Sequence, residues 1–396
     1  MRILLANDAR QGAGGVESYL ATLAPHLEAR GHDVALLYGS SSSETGPTRV
    51  VTGESWSVAD EGLDRAMKRV RAWRPDVFFS HNMRTLEVDE RLVSERHGWR
   101  TFKMMHGYFG TCVSGHKAFS VPHLEPCTRI CGAGCLAYYL PRKCGQLRPH
   151  VMAAQYRWAR RQQRLFPLYG GIVVASDHMH REYLRYDIPA GRVHKIPLFS
   201  TIAPGPLDST AARADARLDV VFLGRMTPLK GVEALVRALP HAATALGRPV
   251  TALLAGDGPE RQRLQDFVRE LADDGFTAEF PGWIDGAARA VILSRAALAV
   301  IPSIWPEPFG LVGLEAAAFG VPSVAFDVGG IREWLTDGVN GRLVDLAGGP
   351  AALGATIARV LGDSEEHSRL STGARAAGAR FAVESHITTL ERVLAS

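Results

Sequence analysis

LAVIPSIWPEPFGLVGLEAAAFGVPSVAF, residues 298 to 326, passes from one apolar run through a turn-rich segment and a small-residue helix pattern into a second apolar run. Leu298–Pro302 and Ser323–Phe326 read as strands, and Phe309–Phe319 reads as the helix between them. Pro308 and Gly310 sit where such a helix begins. Near-continuous apolar strands joined through a helix belong to a parallel sheet covered on both faces. The same alternation extends outward. Asp219–Leu223, Val250–Ala255 and Thr277–Phe280 read as strands, with Val232–Ala245 and Glu260–Ala272 as helices. The first half repeats it, with strands at Arg2–Asn7, Asp33–Tyr38, Asp76–Ser80, Thr101–Met105 and Gly171–Ala175 and helices at Val16–Arg30 and Glu61–Trp73. Leu198–Ala216 breaks the periodicity with Ser, Thr, Pro, Gly and Ala and reads as a linker. The sequence thus predicts an α/β protein of two Rossmann-like, doubly wound domains facing across a cleft. The first covers 1–200, with an insertion at about 110–150. A linker at 201–217 leads to the second domain at 218–380, and a last helix in 381–396 is placed to cross back.

The 396 residues are 46% hydrophobic and 22% charged, which excludes disordered and collagen-like classes. The longest apolar run, Ala296 to Trp305, is broken by Pro302 and is too short to span a bilayer. Met1-Arg2-Ile3-Leu4-Leu5 enters a strand at once and leaves no room for a signal peptide, so a cytoplasmic location is expected. The net charge of +4 hides an asymmetry, because Pro126 to Ser176 contains eight Lys or Arg and no acid. The first half is therefore expected to meet something anionic. No nucleic-acid recognition motif accompanies that charge.

Three motifs can carry chemistry. Gly12-Ala13-Gly14-Gly15-Val16-Glu17 follows the first strand and opens a helix, where backbone N–H groups favour an anion. It is not a dinucleotide fingerprint, since G-x-G-x-x-G needs glycine at position 17 and the second strand ends without a ribose-binding acid. In Gly224-Arg225-Met226-Thr227-Pro228-Leu229-Lys230-Gly231, two cations five positions apart can converge on one diphosphate. In the third, the stretch quoted above, Glu307 lies beside a helix start, and Glu315 sits in an otherwise apolar, small-residue helix. A carboxylate buried there needs hydroxyl or N–H partners, which a ribose diol supplies.

Taken together, the Arg225-x4-Lys230 pair, the Glu307-x7-Glu315 pair and the Gly14-Gly15-Val16-Glu17 loop resemble the large group of retaining GT-B glycosyltransferases that includes sucrose synthases and bacterial mannosyltransferases. The resemblance is strongest over residues 219–345. It implies that Arg225 and Lys230 bind the donor diphosphate and stabilise the departing nucleotide. It places Glu307 by the donor sugar, with Phe309, Gly310, Leu311 and Val312 helping to hold sugar hydroxyls and phosphate. Glu315 would bind the ribose, Trp283 and Ile284 the base, and Gly14 and Gly15 the diphosphate. His106 matches a family histidine that contacts the donor sugar, although Gly107 follows it where many members have Asp; His81 is a weaker candidate. The expected reaction moves a sugar, most readily from a UDP-linked donor, to a sugar, lipid-linked or small-molecule acceptor, with no cofactor required for catalysis. A nucleotide-sugar epimerase and an inactive nucleotide-sugar-binding protein are the alternatives.

All five cysteines lie within 33 residues. Cys127, Cys131, Cys135 and Cys144, with Cys112 as a substitute, form the candidate ligand set of a structural zinc, while free thiols and disulfides stay open. His150–Leu168 reads as a helix carrying Arg157, Arg160, Arg161 and Arg164, either a solvated face or a contact with an anionic membrane surface.

Overall fold

The computed structural model describes all residues except 13, 42–47, 51–52, 95–97, 203–217 and 272–274, and only the backbone of 48–49. Nearly all of the expected linker, and Ala13 of the first glycine loop, therefore lie outside the described residues. The chain divides into two compact units. The first comprises Met1–Lys117, Thr128–Pro197 and Val383–Ser396, and the second Ala118–Cys127 and Leu198–Ala382. Ten residues of the cysteine-rich insertion thus group with the second unit, among them an antiparallel pair of short strands, Ala118–Phe119 and Glu125–Pro126.

In the first unit β1 (Arg2–Asn7), β2 (Asp33–Tyr38), β3 (Ser55–Ser57), β4 (Val77–Ser80), β5 (Arg100–Met105), β6 (Gly171–Val174) and β7 (Val193–Lys195) form one sheet in the order β7-β6-β5-β4-β1-β2-β3. Every pairing is parallel. Five of the six β1 residues are buried, as a strand covered on both faces requires. Helix α1 (Gly15–Ala29) follows the glycine loop and buries Tyr19, Leu20, Leu23, Ala24 and Leu27. Helix α2 (Pro149–Leu165) begins with proline at its first position and continues into a 3-10 turn at Phe166–Leu168.

The second unit holds β8 (Leu218–Leu223), β9 (Val250–Ala255), β10 (Phe276–Gly282), β11 (Ala296–Ile301), β12 (Ser323–Phe326) and β13 (Gly341–Val344), ordered β10-β9-β8-β11-β12-β13 and parallel throughout. Its edge strand β10 alternates in exposure, whereas the central β8 and β11 bury four and five of their six residues. Helices α3 (Val232–Leu246) and α4 (Leu311–Ala318) lead away from the ends of β8 and β11. The last helix, α5 (Val383–Ala395), belongs to the first unit. There it buries His386, Ile387, Leu390 and Leu394, and Arg30 of α1 is bonded to its Glu384 and Glu391.

Candidate functional site

The central strands β8 and β11 are neighbours whose connections run to opposite sides of the sheet, so a crevice opens at their carboxyl ends. Two loops leave the strands there. The amide of Ile304 donates to the carbonyl of Leu229 at 2.9 Å, holding the loops side by side. Lys230 Nζ consequently lies 2.6 Å from Glu307 Oε1, although the residues are 77 positions apart. Ser303 Oγ donates to the same oxygen at 2.6 Å.

Glu307 is buried, which alone opposes ionisation. The nearby Lys230 charge and the bonds from Lys230 and Ser303 more than offset this, and hold its carboxyl below the ordinary range. The backbone is fixed as firmly as the side chain. Gly330 donates to the Glu307 carbonyl at 2.6 Å. Gly329, at φ +59°, passes so close that a Cβ there would stand 2.4 Å from both the nitrogen and the oxygen of Glu307.

Helix α4 starts directly after this carboxylate. Gly310, in the left-handed region at φ +87°, is its N-cap and offers no side-chain acceptor to the first-turn amides. An anion approaching that end meets unsatisfied N–H groups. Phe309 is buried, with its ring 5.9 Å from that of Phe381, and its carbonyl accepts from Trp334 Nε1 at 2.7 Å. Only the backbone near Phe309 is thus offered to a ligand; Leu311 and Val312 are half-buried in the first turn. Arg225 is exposed at the end of β8, and its guanidinium makes no hydrogen bond or ion pair with a described residue.

Glu315, one turn and more into α4, is buried and already partnered. Arg289 Nη1 donates to both its oxygens at 3.0 Å, and Thr201 Oγ1 donates to Oε1 at 2.9 Å. Arg289, Ser303 and Thr201 are the residues that the sequence reading passed over. Arg289 lies in a helix, Gly286–Arg295, outside the elements read from the sequence, and Thr201 falls in the linker segment. A signal for Ser303 exists, since it stands four residues before Glu307 in the same strand-to-helix loop. Trp283 is 49% exposed just beyond β10, and Ile284 is half-buried beside it.

In the first unit Gly14 caps α1 without a side-chain hydrogen bond, so the amides of this fifteen-residue helix point out of its N-terminus. The Glu17 side chain folds back over the loop and fills the space where a Cβ on Gly12 or Gly14 would lie. Asn7 Nδ2 donates to Glu17 Oε1 at 3.3 Å. His106 follows β5 and is half-buried, with its Nε2 3.1 Å from Nδ1 of the buried His81. Burial first, then the charge of Lys103, pushes the His106 imidazole down to about 3.

Among the described residues no three His, Cys, Asp or Glu side chains are grouped to hold a metal ion, and no disulfide links the five thiols. Cys127 falls in the second unit, and Cys131, Cys135 and Cys144 in the first. The thiols of Cys131 and Cys135 interact, which holds the Cys135 thiol down to about 6. The Cys135 and Cys144 thiols point at the carbonyls of Ile130 and Tyr138, at 3.8 and 3.7 Å. On α2, Arg161 is paired with Glu87 and Glu90, while Arg157, Arg160 and Arg164 stay exposed. Among the described residues no helix is long and apolar enough to cross a membrane.

Comparisons with known proteins agree with this architecture. Over 224 residues the chain is 33% identical to a D-inositol 3-phosphate glycosyltransferase of Xylanimonas cellulosilytica, an alignment covering 53% of each protein. The chain spans about half the length of the curated relatives it matches. Its fold superposes on HepE of Anabaena, solved in complex with UDP, with a TM-score of 0.71 at 19% identity over 100% of both chains. It also superposes on sucrose-phosphate synthase of Thermosynechococcus elongatus, with a TM-score of 0.71 at 23% identity over 99% and 98%. Residues 13–199 match the family described as Glycosyltransferase Family 4, and residues 217–363 that described as Glycosyl transferases group 1. The chain thus matches a glycosyltransferase family description over part of each half, on a GT-B fold.

Proposed function

We propose that the protein is a retaining hexosyltransferase that moves a sugar from a UDP-linked donor to a sugar, lipid-linked or small-molecule acceptor. The observation that carries this reading is the Lys230–Glu307 contact at the crevice of the second sheet, with the exposed Arg225 on the same loop as Lys230 and the uncapped end of α4 adjoining. Arg225 and Lys230 supply fixed positive charge for a diphosphate, and the α4 amides add N–H donors. Glu307, held ionised, faces the charge that develops on the sugar as the anomeric carbon–phosphate bond breaks. The acceptor oxygen attacks from the face the nucleotide leaves, and its proton passes to the departing phosphate oxygen, so the configuration is kept without a second carboxylate as nucleophile. Glu315, already bonded to Arg289 and Thr201, receives the ribose hydroxyls through its remaining acceptor capacity.

Support from known proteins is twofold: two glycosyltransferase family matches, and a structural neighbour solved with UDP. The exposed Arg157, Arg160 and Arg164 of α2 extend the reading to an acceptor held at an anionic membrane surface. Calorimetric titration with UDP, GDP, ADP, dTDP and NAD is the test. Selective binding of UDP that disappears in Lys230→Ala is the expected result, and binding of NAD alone, or of none of the five, refutes the reading.

A further inference from the structure

The proposed reaction uses none of the five cysteines, yet the first unit brings two of their thiols together. Cys131 is 3% exposed, in a small core with Val113, Tyr139 and Ala159, and the half-buried Cys135 and Cys144 pack against that core. The backbone of Cys131 is held from both sides. Its amide donates to the Tyr186 hydroxyl at 2.9 Å, and its carbonyl accepts from Gln163 Nε2 at 3.2 Å. Gly132-Ala133-Gly134 then turn the chain, with the Cys135 amide donating to the Gly132 carbonyl at 2.9 Å. Of the two half-buried cysteines, Cys135 is the one whose thiol meets that of Cys131. Cys112 is engaged elsewhere, since its Sγ accepts from the Lys117 amide at 3.3 Å and lies 3.5 Å from Ser114 Oγ.

Positive charge flanks this turn. Lys117 Nζ, paired with Glu182, donates to the Arg129 carbonyl at 2.6 Å. The Arg129 guanidinium lies 4.0 Å from the centroid of the Tyr138 ring, and its Nη2 is 3.0 Å from where a Cβ on Gly134 would stand. A partly exposed thiol beside cations is the kind that reacts with an electrophile, whereas a thiol buried among apolar side chains is shielded. The turn also has room to tighten, because a Cβ on Gly132 would meet nothing within 4 Å. All of these residues belong to the first unit.

We propose that Cys135 and Cys131 are a modification site that peroxide converts into a disulfide, with Cys135 reacting first and Cys131 closing the bond. The Cys135 sulfur attacks one oxygen of hydrogen peroxide. The O–O bond breaks, and the other oxygen leaves as water with the Cys135 thiol proton. The sulfur of Cys131 then attacks the sulfenic sulfur of Cys135. The S–O bond breaks, and the hydroxyl leaves as water with the Cys131 thiol proton. The two thiols lose two electrons between them, and the peroxide is reduced to two waters. The half-exposed member is the one a small oxidant reaches, and the buried member lies where it can intercept the sulfenic acid before further oxidation.

Freshly reduced full-length protein, treated with hydrogen peroxide and digested without reductant, decides it. Trypsin leaves both cysteines in one peptide, Ile130–Arg142, which should become two hydrogens lighter. Cys131→Ser should stop at a sulfenic acid on Cys135, trapped by dimedone. Cys135→Ser should leave Cys131 unmodified at a dose that fully oxidises the wild type. In the wild type, Cys135 should react roughly tenfold faster than Cys144. A linkage to Cys112, Cys127 or Cys144, or a sulfenic acid first seen on Cys131, overturns the proposal. So do thiols that resist peroxide until a chelator draws off about one equivalent of zinc, which would give the same residues to a metal. The wild-type linkage decides the matter even if a variant fails to fold. None of these readouts requires sugar transfer, so they stand or fall independently of the proposed function.

Discussion

The two units differ in how they handle the buried polar groups of the candidate site. In the second, each buried carboxylate of the site is met by a cation from another segment: Lys230 reaches Glu307, and Arg289 reaches Glu315. In the first, buried carboxylates are likewise met by cations, Lys103 on Asp89 and Lys117 on Glu182, but three histidines are treated differently. Three imidazoles are instead held neutral by burial and bonded to each other, to Tyr19 and to the Pro197 carbonyl. Pairing offsets much of the desolvation cost of a buried charge, and removing one member leaves the other uncompensated. A neutral ring avoids that dependence and becomes sensitive to acid instead.

The sharpest way to break the comparison is Lys230→Ala. It removes a diphosphate ligand and strips Glu307 of its cation, so kcat should fall about a thousandfold, and the Glu307 carboxyl should move up. Turnover near the wild-type rate in a folded Lys230→Ala protein would end the charge-pair account.

Acid titration probes the other unit. His386 titrates near 6.5 when unfolded and is pushed down to about 4 when folded. Its neutral form therefore supports the fold fully above pH 6.5, and that support is lost as pH falls from 6.5 towards 4. The loss should approach about 3 kcal/mol, at 1.36 kcal/mol per pKa unit. Denaturant unfolding at several pH values, in wild type and in His386→Phe, should show a flatter acid slope in the variant. Equal slopes would remove His386 from the account.

Smaller effects sharpen the picture. Arg289→Leu frees the Glu315 carboxylate from its main partner, and UDP affinity by calorimetry should drop about tenfold as the carboxylate loses its orientation. Arg161→Ala, which breaks only half-exposed pairs with Glu87 and Glu90, should change stability by less than about 1 kcal/mol. A larger loss there would mean that surface charge on α2 matters more than the buried pairs suggest.

The fold was legible where strands are interior to a sheet. Asp33–Tyr38, Val250–Ala255 and Ser323–Phe326 have the same limits in sequence and structure, because burial on both faces demands an unbroken apolar run. The strands that escaped notice are at the sheet edges. Ser55–Ser57, Val193–Lys195 and Gly341–Val344 are short and mix polar residues or glycine into the run, as an edge allows. The second unit's loops showed their residue types plainly. The sequence could not show that Lys230 is bound to Glu307, or that Glu315 already has Arg289 and Thr201, because such pairings are set by how strands are ordered in the sheet. The histidine cluster was harder still. His386 is nearly three hundred residues from His106 along the chain, and nothing local marks it as part of the same group.

The assignment of α5 to the first unit also has a consequence for synthesis. Roughly 185 residues separate Pro197 from Val383. At about 5–20 residues per second, a ribosome needs roughly 10–40 s to supply them. Throughout that interval the sheet of the first unit exists without the helix that covers α1, and the Tyr19 hydroxyl lacks the imidazole that accepts its proton. The first domain to be made is therefore the last to be finished, and the whole second domain can fold while it waits.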